Sequence, residues 1–295
     1  MNSEAGDLLK GSGDIHVHTS PSLVPARKSD IWELIEACAA KKMAFAVIKW
    51  HHGDSYSAAD AVNKKHEEAF HLYGGLVLNR PVGGLNPYAV DCAISLKARI
   101  IWLPTLDAVG HEKAMGQLGG FPFQEVRRKR FPDKGISILT PDGELCDEMK
   151  EILSLINGSE TVLGSGHISK EEIFVLKRYI ESEKLDLHLL INHIDLSVPG
   201  LTIKDLKPLA GPNIWFELAY ITVSALGKTP VQTIINFIKT HPDLPFVLAS
   251  DSGQSSNPIS PEAMERFVTL LLEHGLDAES IHPLLHRNLK SLLYR

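Results

Sequence analysis

The chain of 295 residues is 44% hydrophobic and 22% charged, the balance of a globular protein able to bury a full core. A net charge of −6 argues against nucleic-acid binding through bulk charge, and no apolar run approaches the roughly 20 residues of a membrane-spanning helix. Residues 1–13 lack the basic-then-apolar order of a signal peptide, and Cys38, Cys92 and Cys146 show no CxxC spacing, so a cytoplasmic protein with reduced thiols is expected.

In chain order, the first expected strand covers 14–18 and ends His16-Val17-His18. A side-chain period of two turns both imidazoles to one face. The loop 20–29 carries Arg27; Asp30 and Glu33 then form a capping box before a helix with Ile31, Leu34, Ile35 and Cys38 on its apolar face. The second strand, 43–50, ends Lys49-Trp50-His51-His52, and a helix over 55–70 follows. The third strand, 72–79, ends at Asn79; Asn86-Pro87 then supplies a cap and a first-turn proline. After the fourth strand, 99–105, the connection 106–140 is long enough to be an inserted lid over the site. It holds His111, Phe121, Phe123, a basic run Arg127–Arg130 expected to be solvated, and a short extra strand over 136–139. A helix over 143–157 leads to the fifth strand, 161–167, and a Ser169/Glu172 capping box. The sixth strand, 185–193, ends Asn192-His193; the seventh, 213–220, contains Glu217; the eighth, 245–250, precedes Asp251. Thr229-Pro230 and Ser260-Pro261 open further helices, and a helical stretch over 278–293 closes the series.

Strict alternation of eight strands with helical segments predicts a parallel sheet, closed as a (β/α)₈ TIM barrel over one domain, 1–295, with a doubly wound open sheet as the alternative. In a barrel the C-terminal strand ends converge on one face. There His16, His18, His167, His193 and Asp251 supply imidazoles and a carboxylate suited to one or two divalent ions. Any one of these histidines alone reads as a satisfied core residue; five metal-type ligands at the same end of their strands do not. Zinc is the first choice of metal, with manganese, iron or nickel as alternatives. Asp251 and His193 are the catalytic candidates, with Asp251 shuttling the proton of a nucleophilic water. Arg27, His51, Asn79 and Glu217 are expected to bind a small, anionic substrate.

These motifs resemble the amidohydrolase superfamily of metal-dependent hydrolases: His16-Val17-His18, Gly166-His167, Asn192-His193 and Ser250-Asp251-Ser252 stand after strands one, five, six and eight. The resemblance spans nearly the whole chain. With Arg27, Lys49-Trp50-His51 and Gly83-Gly84-Leu85-Asn86-Pro87, the order is similar to an uncharacterised amidohydrolase-like family. It implies a TIM barrel, a mono- or binuclear centre, and cleavage of an amide, cyclic amide, ester or lactone bond. Many binuclear relatives place a carboxylated lysine or a glutamate on strand four, where this chain has Trp102-Leu103-Pro104-Thr105; Lys49 is the candidate for a carboxylated bridge. The start of the chain also resembles the polymerase-and-histidinol-phosphatase type of phosphoesterase. Decarboxylation or deamination on the same face, and a non-catalytic metal-binding barrel, are further alternatives. A homo-oligomer is compatible with the sequence; no macromolecular partner is indicated.

Overall fold

The computed structural model describes residues 4–24, 27–65, 70–121 and 125–294. Residues 66–69 of the helix expected over 55–70, and Phe123 of the expected lid, lie outside the described residues. The elements are α1 (Glu4–Leu9), β1 (Gly13–Val17), α2 (Ile31–Ala40), β2 (Phe45–Ile48), α3 (Tyr56–Asn63), β3 (His71–Val77), α4 (Pro87–Ser95), β4 (Ile100–Trp102), α5 (Val109–Met115) and α6 (Asp147–Ile156). They continue with β5 (Val162–Gly164), α7 (Lys170–Ser182), β6 (Leu189–Ile191), α8 (Ile203–Leu209), β7 (Ile214–Ala219), α9 (Tyr220–Val223), α10 (Val231–Thr240), β8 (Phe246–Ala249), α11 (Ser260–Glu273), α12 (Ala278–Leu285) and α13 (Arg287–Leu293). No helix among the described residues is long and apolar enough to cross a membrane.

All eight strands are parallel and paired in sequence order, and the parallel bridge Val17↔Ser252 brings the first strand to the chain just beyond the last. His18 N donates to Ser252 O at 2.7 Å across that seam. The result is the (β/α)₈ barrel. Its interior is filled from alternate strand positions by Val47, Val77, Ile100, Val162, Leu190 and Val247, while Leu289, Leu292 and Leu293 of α13 pack into the same cluster. Outward-facing residues such as Phe216, Leu218 and Leu248 join the layer beneath the helices. Burial on both faces explains why the strands read as continuous apolar runs.

β1 breaks the alternation, and the break aims the site. Ile15 belongs to the interior cluster, and the His16 ring also faces inward, 6.3 Å from Trp102. Two consecutive inward residues need a bulge, and the β1–β2 register shifts between Asp14 and Val17. Asp14 holds the irregular backbone: its Oδ1 accepts from His16 N (3.2 Å) and Ser250 N (3.0 Å), and its Oδ2 accepts from Ser260 Oγ (2.6 Å). Ser260, expected to cap α11, is instead the first residue of that helix, and its hydroxyl serves this seam.

The capping boxes at Asp30/Glu33 and Ser169/Glu172 are present, and Asn86 caps α4 with Pro87 in its first turn. Three expected elements differ. Residues 136–139 form only the single bridges Ala108↔Ile136 and Leu139↔Leu145, because the Ile138 N–H is taken by the Glu172 side chain at 3.0 Å. The helix expected from residue 143 starts at Asp147, since Thr140 N bonds Glu144 O and Gly143 turns at φ +83°. The closing helix breaks into α12 and α13 at His286, whose Nε2 donates to Leu8 O at 2.9 Å.

Candidate metal centre

The strands are shorter than the apolar runs suggest, and the polar residues sit in the turns just past them. His193 follows β6 at φ +26° and Asp251 follows β8 at φ +47°, left-handed backbone that ends strand pairing and is costly for residues with a Cβ. Gly166, at φ +58°, makes the corresponding turn after β5. A Cβ there would stand 2.2 Å from Leu103 O, so only glycine lets this loop close and present His167. We expect Gly166→Ala to lose at least about 2 kcal/mol of stability in denaturant unfolding, from left-handed strain and overlap together.

His16, His18 and Asp251 meet at the barrel mouth with one ligand atom each, all within 4.8 Å of one another. His16 Nδ1 lies 2.9 Å from Glu217 Oε1, and His18 Nδ1 lies 2.6 Å from the Lys49 carbonyl. A carboxylate or a carbonyl can only accept, so each Nδ1 carries the proton and each Nε2 presents a lone pair. Those two Nε2 atoms are 3.3 Å and 3.1 Å from Asp251 Oδ1. Between His18 and Asp251 two electron pairs therefore face each other with no proton to share, an arrangement that a cation relieves. This donor set fits a divalent metal ion.

His193 and His167 adjoin this group. The His193 ring is 5.8 Å from that of His16 and 5.1 Å from that of His167. Both its ring nitrogens are buried without a hydrogen-bond partner among the described residues, a state that a buried imidazole avoids unless another group binds it. Burial keeps all four histidines neutral, pushing His16 down to about 3 and His193 down to about 4, and His18 and His167 well below the ordinary histidine range. Neutral imidazole is the ligating form.

Lys49, just after β2, is fully buried, and its Nζ donates to His16 Nε2 at 3.1 Å. Burial lowers its amine to about 8 against the opposing pull of Asp251 and Glu217. Its charge is felt at His16, His167 and His193 alike. A cavity of about 280 Å³ opens over the group, lined by His18, Arg27, Lys49, His51, His167 and Asp251 among others. His51 stacks on His18 at 4.6 Å, and its Nδ1 pairs with Thr105 Oγ1. Arg27 Nε donates to Ser22 Oγ at 2.9 Å, and burial lowers its guanidinium to about 10 despite Asp251 nearby.

Two residues expected to touch substrate do not line this cavity. Asn79 ties strand ends together: its Oδ1 accepts from Thr105 N and its Nδ2 donates to His51 O. Glu217 is wholly buried, accepting from His16 Nδ1, from Asn192 Nδ2 at 2.8 Å and from His193 N at 3.1 Å. It lies in regular strand, and an inward position on β7 places it under the ligands, not over them.

The described parts of the segment, 106–121 and 125–140, are anchored rather than loose. Arg128, one of the basic run expected to be solvated, has its Nη1 2.7 Å from the buried Asp107 Oδ1. Val109 N donates to Ile136 O, and Met115 and Phe121 form part of the cavity wall. Sequence reasoning passed over Asp107, Asp195 and Gln254; they sit in loops with no periodic signal, and only the fold brings Asp195 and Gln254 to the cavity.

Solved structures share this architecture at low identity. An amidohydrolase from Pseudomonas aeruginosa superposes with a TM-score of 0.62 at 11% identity, covering 99% of this chain and 98% of that one. A mutant organophosphorus hydrolase gives 0.59 at 12%, covering 99% and 95%, and the probable dipeptidase PvdM from Pseudomonas aeruginosa gives 0.58 at 10%, covering 98% and 96%. The fold is thus that of the amidohydrolases. A search of curated proteins found no match. A family model described as "Family of unknown function (DUF6282)" matches residues 11–217, from the approach to β1 through Glu217, and the chain belongs to that family.

Proposed function

We propose that the protein is a metal-dependent hydrolase that activates water to cleave an amide, cyclic amide, ester or lactone bond of a small molecule. The observation that carries this reading is the convergence of His16 Nε2, His18 Nε2 and Asp251 Oδ1, with both Nδ1 protons committed elsewhere. His16, His18 and Asp251 would hold one divalent ion, zinc being the first choice for an imidazole-rich set. His167 and His193 would complete the site or hold a second ion. A bound ion would supply Lewis acidity, polarising the substrate's carbonyl and acidifying water.

The chain's own residues supply the rest. Asp251, the one carboxylate of the ligand group with partial access to the cavity, takes the proton of the attacking water on Oδ and returns it to the leaving group. Arg27, at the cavity wall, pairs with an anionic group of the substrate. His51 shapes the wall beside His18. Were His167 and His193 to hold a second ion, Lys49 would be the residue to link the two groups in carboxylated form, its neutral amine adding CO2 and releasing a proton. Intact mass spectrometry would then show an increment of one CO2, lost on acidification. Neighbours in fold are named as a dipeptidase and an organophosphorus hydrolase, so the architecture accommodates carbon and phosphorus centres alike. The carbon-centre reading is favoured over a phosphoesterase because strand three offers Asn79, spent on backbone and Thr105, where the latter type places an acidic ligand.

The test is metal content with activity. Purified protein is expected to hold one or two zinc equivalents, to lose turnover of p-nitrophenyl esters on chelation and to regain it with zinc. No metal after growth in supplemented medium would overturn the proposal, and turnover of p-nitrophenyl phosphates alone would move it to phosphoryl chemistry.

A further inference from the structure

Helix α5 of the long connection reaches the site through a histidine. His111 is completely buried, and its Nε2 lies 2.9 Å from Gly120 O. A carbonyl oxygen only accepts, so His111 Nε2 carries the proton. Among the described residues no carboxylate bonds either nitrogen, and a wholly buried site does not keep an unpaired charge, so the ring is neutral and its Nδ1 is bare. That Nδ1 lies 2.9 Å from His167 Nδ1. Of two nitrogens at this distance one must donate, and only His167 has the proton to give. His167 Nε2 is then the bare nitrogen, on a ring that lines the cavity 5.1 Å from His193.

A second observation, independent of hydrogen positions, is the seating of α5. Gly110, the residue before His111, packs so closely on the loop after β5 that a Cβ would stand 2.4 Å from His167 O and 2.8 Å from Ser169 N. Backbone meets backbone there, and the glycine brings the His111 ring within bonding reach of its partner. Phe121 closes the other side of His111 edge-on, at 5.2 Å.

We infer that His111 is a positioning residue: it fixes the Nδ1–H tautomer and the ring orientation of His167, so that Nε2 is the atom offered to a metal ion. The inserted segment is by this account part of the metal site's support as well as a wall of the cavity. This rests on the hydrolase reading only in naming the ion; the tautomer itself is a property of the metal-free chain. Partners of this kind typically change metal affinity 10- to 100-fold.

The experiment separates the two. Long-range 1H–15N correlation spectra of the metal-free protein report which nitrogen of each imidazole is protonated. In the wild type His167 should be the Nδ1–H form. His111→Phe, which keeps a flat ring but has no acceptor, should turn His167 to the Nε2–H form that free imidazole side chains prefer. His111→Asn, whose Oδ1 stands near the place of Nδ1, should retain the wild-type form. In competition with a chromophoric chelator, Zn2+ should bind His111→Phe about 10- to 100-fold more weakly than wild type, with the Asn variant recovering most of the loss. An Nε2–H form of His167 in the wild type overturns the inference, whatever the variants do. So does a folded His111→Phe with wild-type zinc affinity. Failure of the wild type to bind zinc counts against the hydrolase reading, while the metal-free spectra still decide the role of His111.

Discussion

Asp251→Asn is expected to lower turnover by roughly 10²- to 10⁴-fold, the range for removing a positioned acid–base group, while leaving the metal-free protein as stable as wild type or more so. The two effects have opposite signs for one reason. Asp251 Oδ1 faces the lone pair of His18 Nε2 at 3.1 Å, while His16 Nε2, 3.3 Å away, already accepts from Lys49 Nζ. Turned with its nitrogen toward His18, a carboxamide donates to that imidazole and removes the facing electron pairs that a cation otherwise relieves. The same change withdraws an anionic ligand and the proton acceptor for water. Thermal melts of the metal-free variant should therefore match or exceed wild type, whereas the rise in melting temperature expected of the wild type on adding zinc should be absent from the variant. Full activity in the variant would remove Asp251 from the chemistry. A marked loss of stability without metal would show that its carboxylate serves the fold.

The second large effect concerns Glu217. Glu217→Leu keeps the volume but deletes the acceptor for His16 Nδ1–H, Asn192 Nδ2–H and His193 N–H, all buried. A buried donor left without a partner costs about 1–3 kcal/mol, so three cost several kcal/mol out of a typical 5–15 kcal/mol of total stability. The damage reaches the site as well: His16 loses the carboxylate that fixes its tautomer, and Asn192 Oδ1 also receives Gly166 N at 3.0 Å, in the turn that presents His167. Zinc affinity should fall about 10- to 100-fold. Glu217→Gln should do less harm, since its amide oxygen still serves His16 while its nitrogen opposes Asn192. Urea unfolding with zinc titration measures both quantities. A Glu217→Leu protein within about 1 kcal/mol of wild type would show that the carboxylate holds neither the histidines nor the fold.

These two residues divide what was legible in the chain from what was not. The HxH pair, His167, His193 and Asp251 could be placed at strand ends by periodicity, and the structure gathers them at one mouth. Glu217 was visible as a polar residue in an apolar strand, but strand phase cannot say whether a carboxylate looks up at substrate or sideways at His16. Asn79 misled for the same reason: an amide at a strand end is equally suited to a ligand or to the backbone of the next two strands. The bulge after Asp14 was hidden too, because it depends on Ser250 and Ser260, more than 230 positions away.

By itself the sequence determined eight strands alternating with capped helices, and hence a parallel sheet, because local hydrogen bonding and side-chain periodicity suffice to write them; closure into a barrel was decided at the seam between Val17 and Ser252. The sequence also determined which residue types could hold a cation. The tertiary structure alone decided which nitrogen of each imidazole is bare, which carboxylate supports and which reaches the cavity, and that α5 rests on the loop of His167. Those outcomes turn on contacts of about 3 Å between groups far apart in the chain, and a proton's place on a ring is set by the partner opposite it.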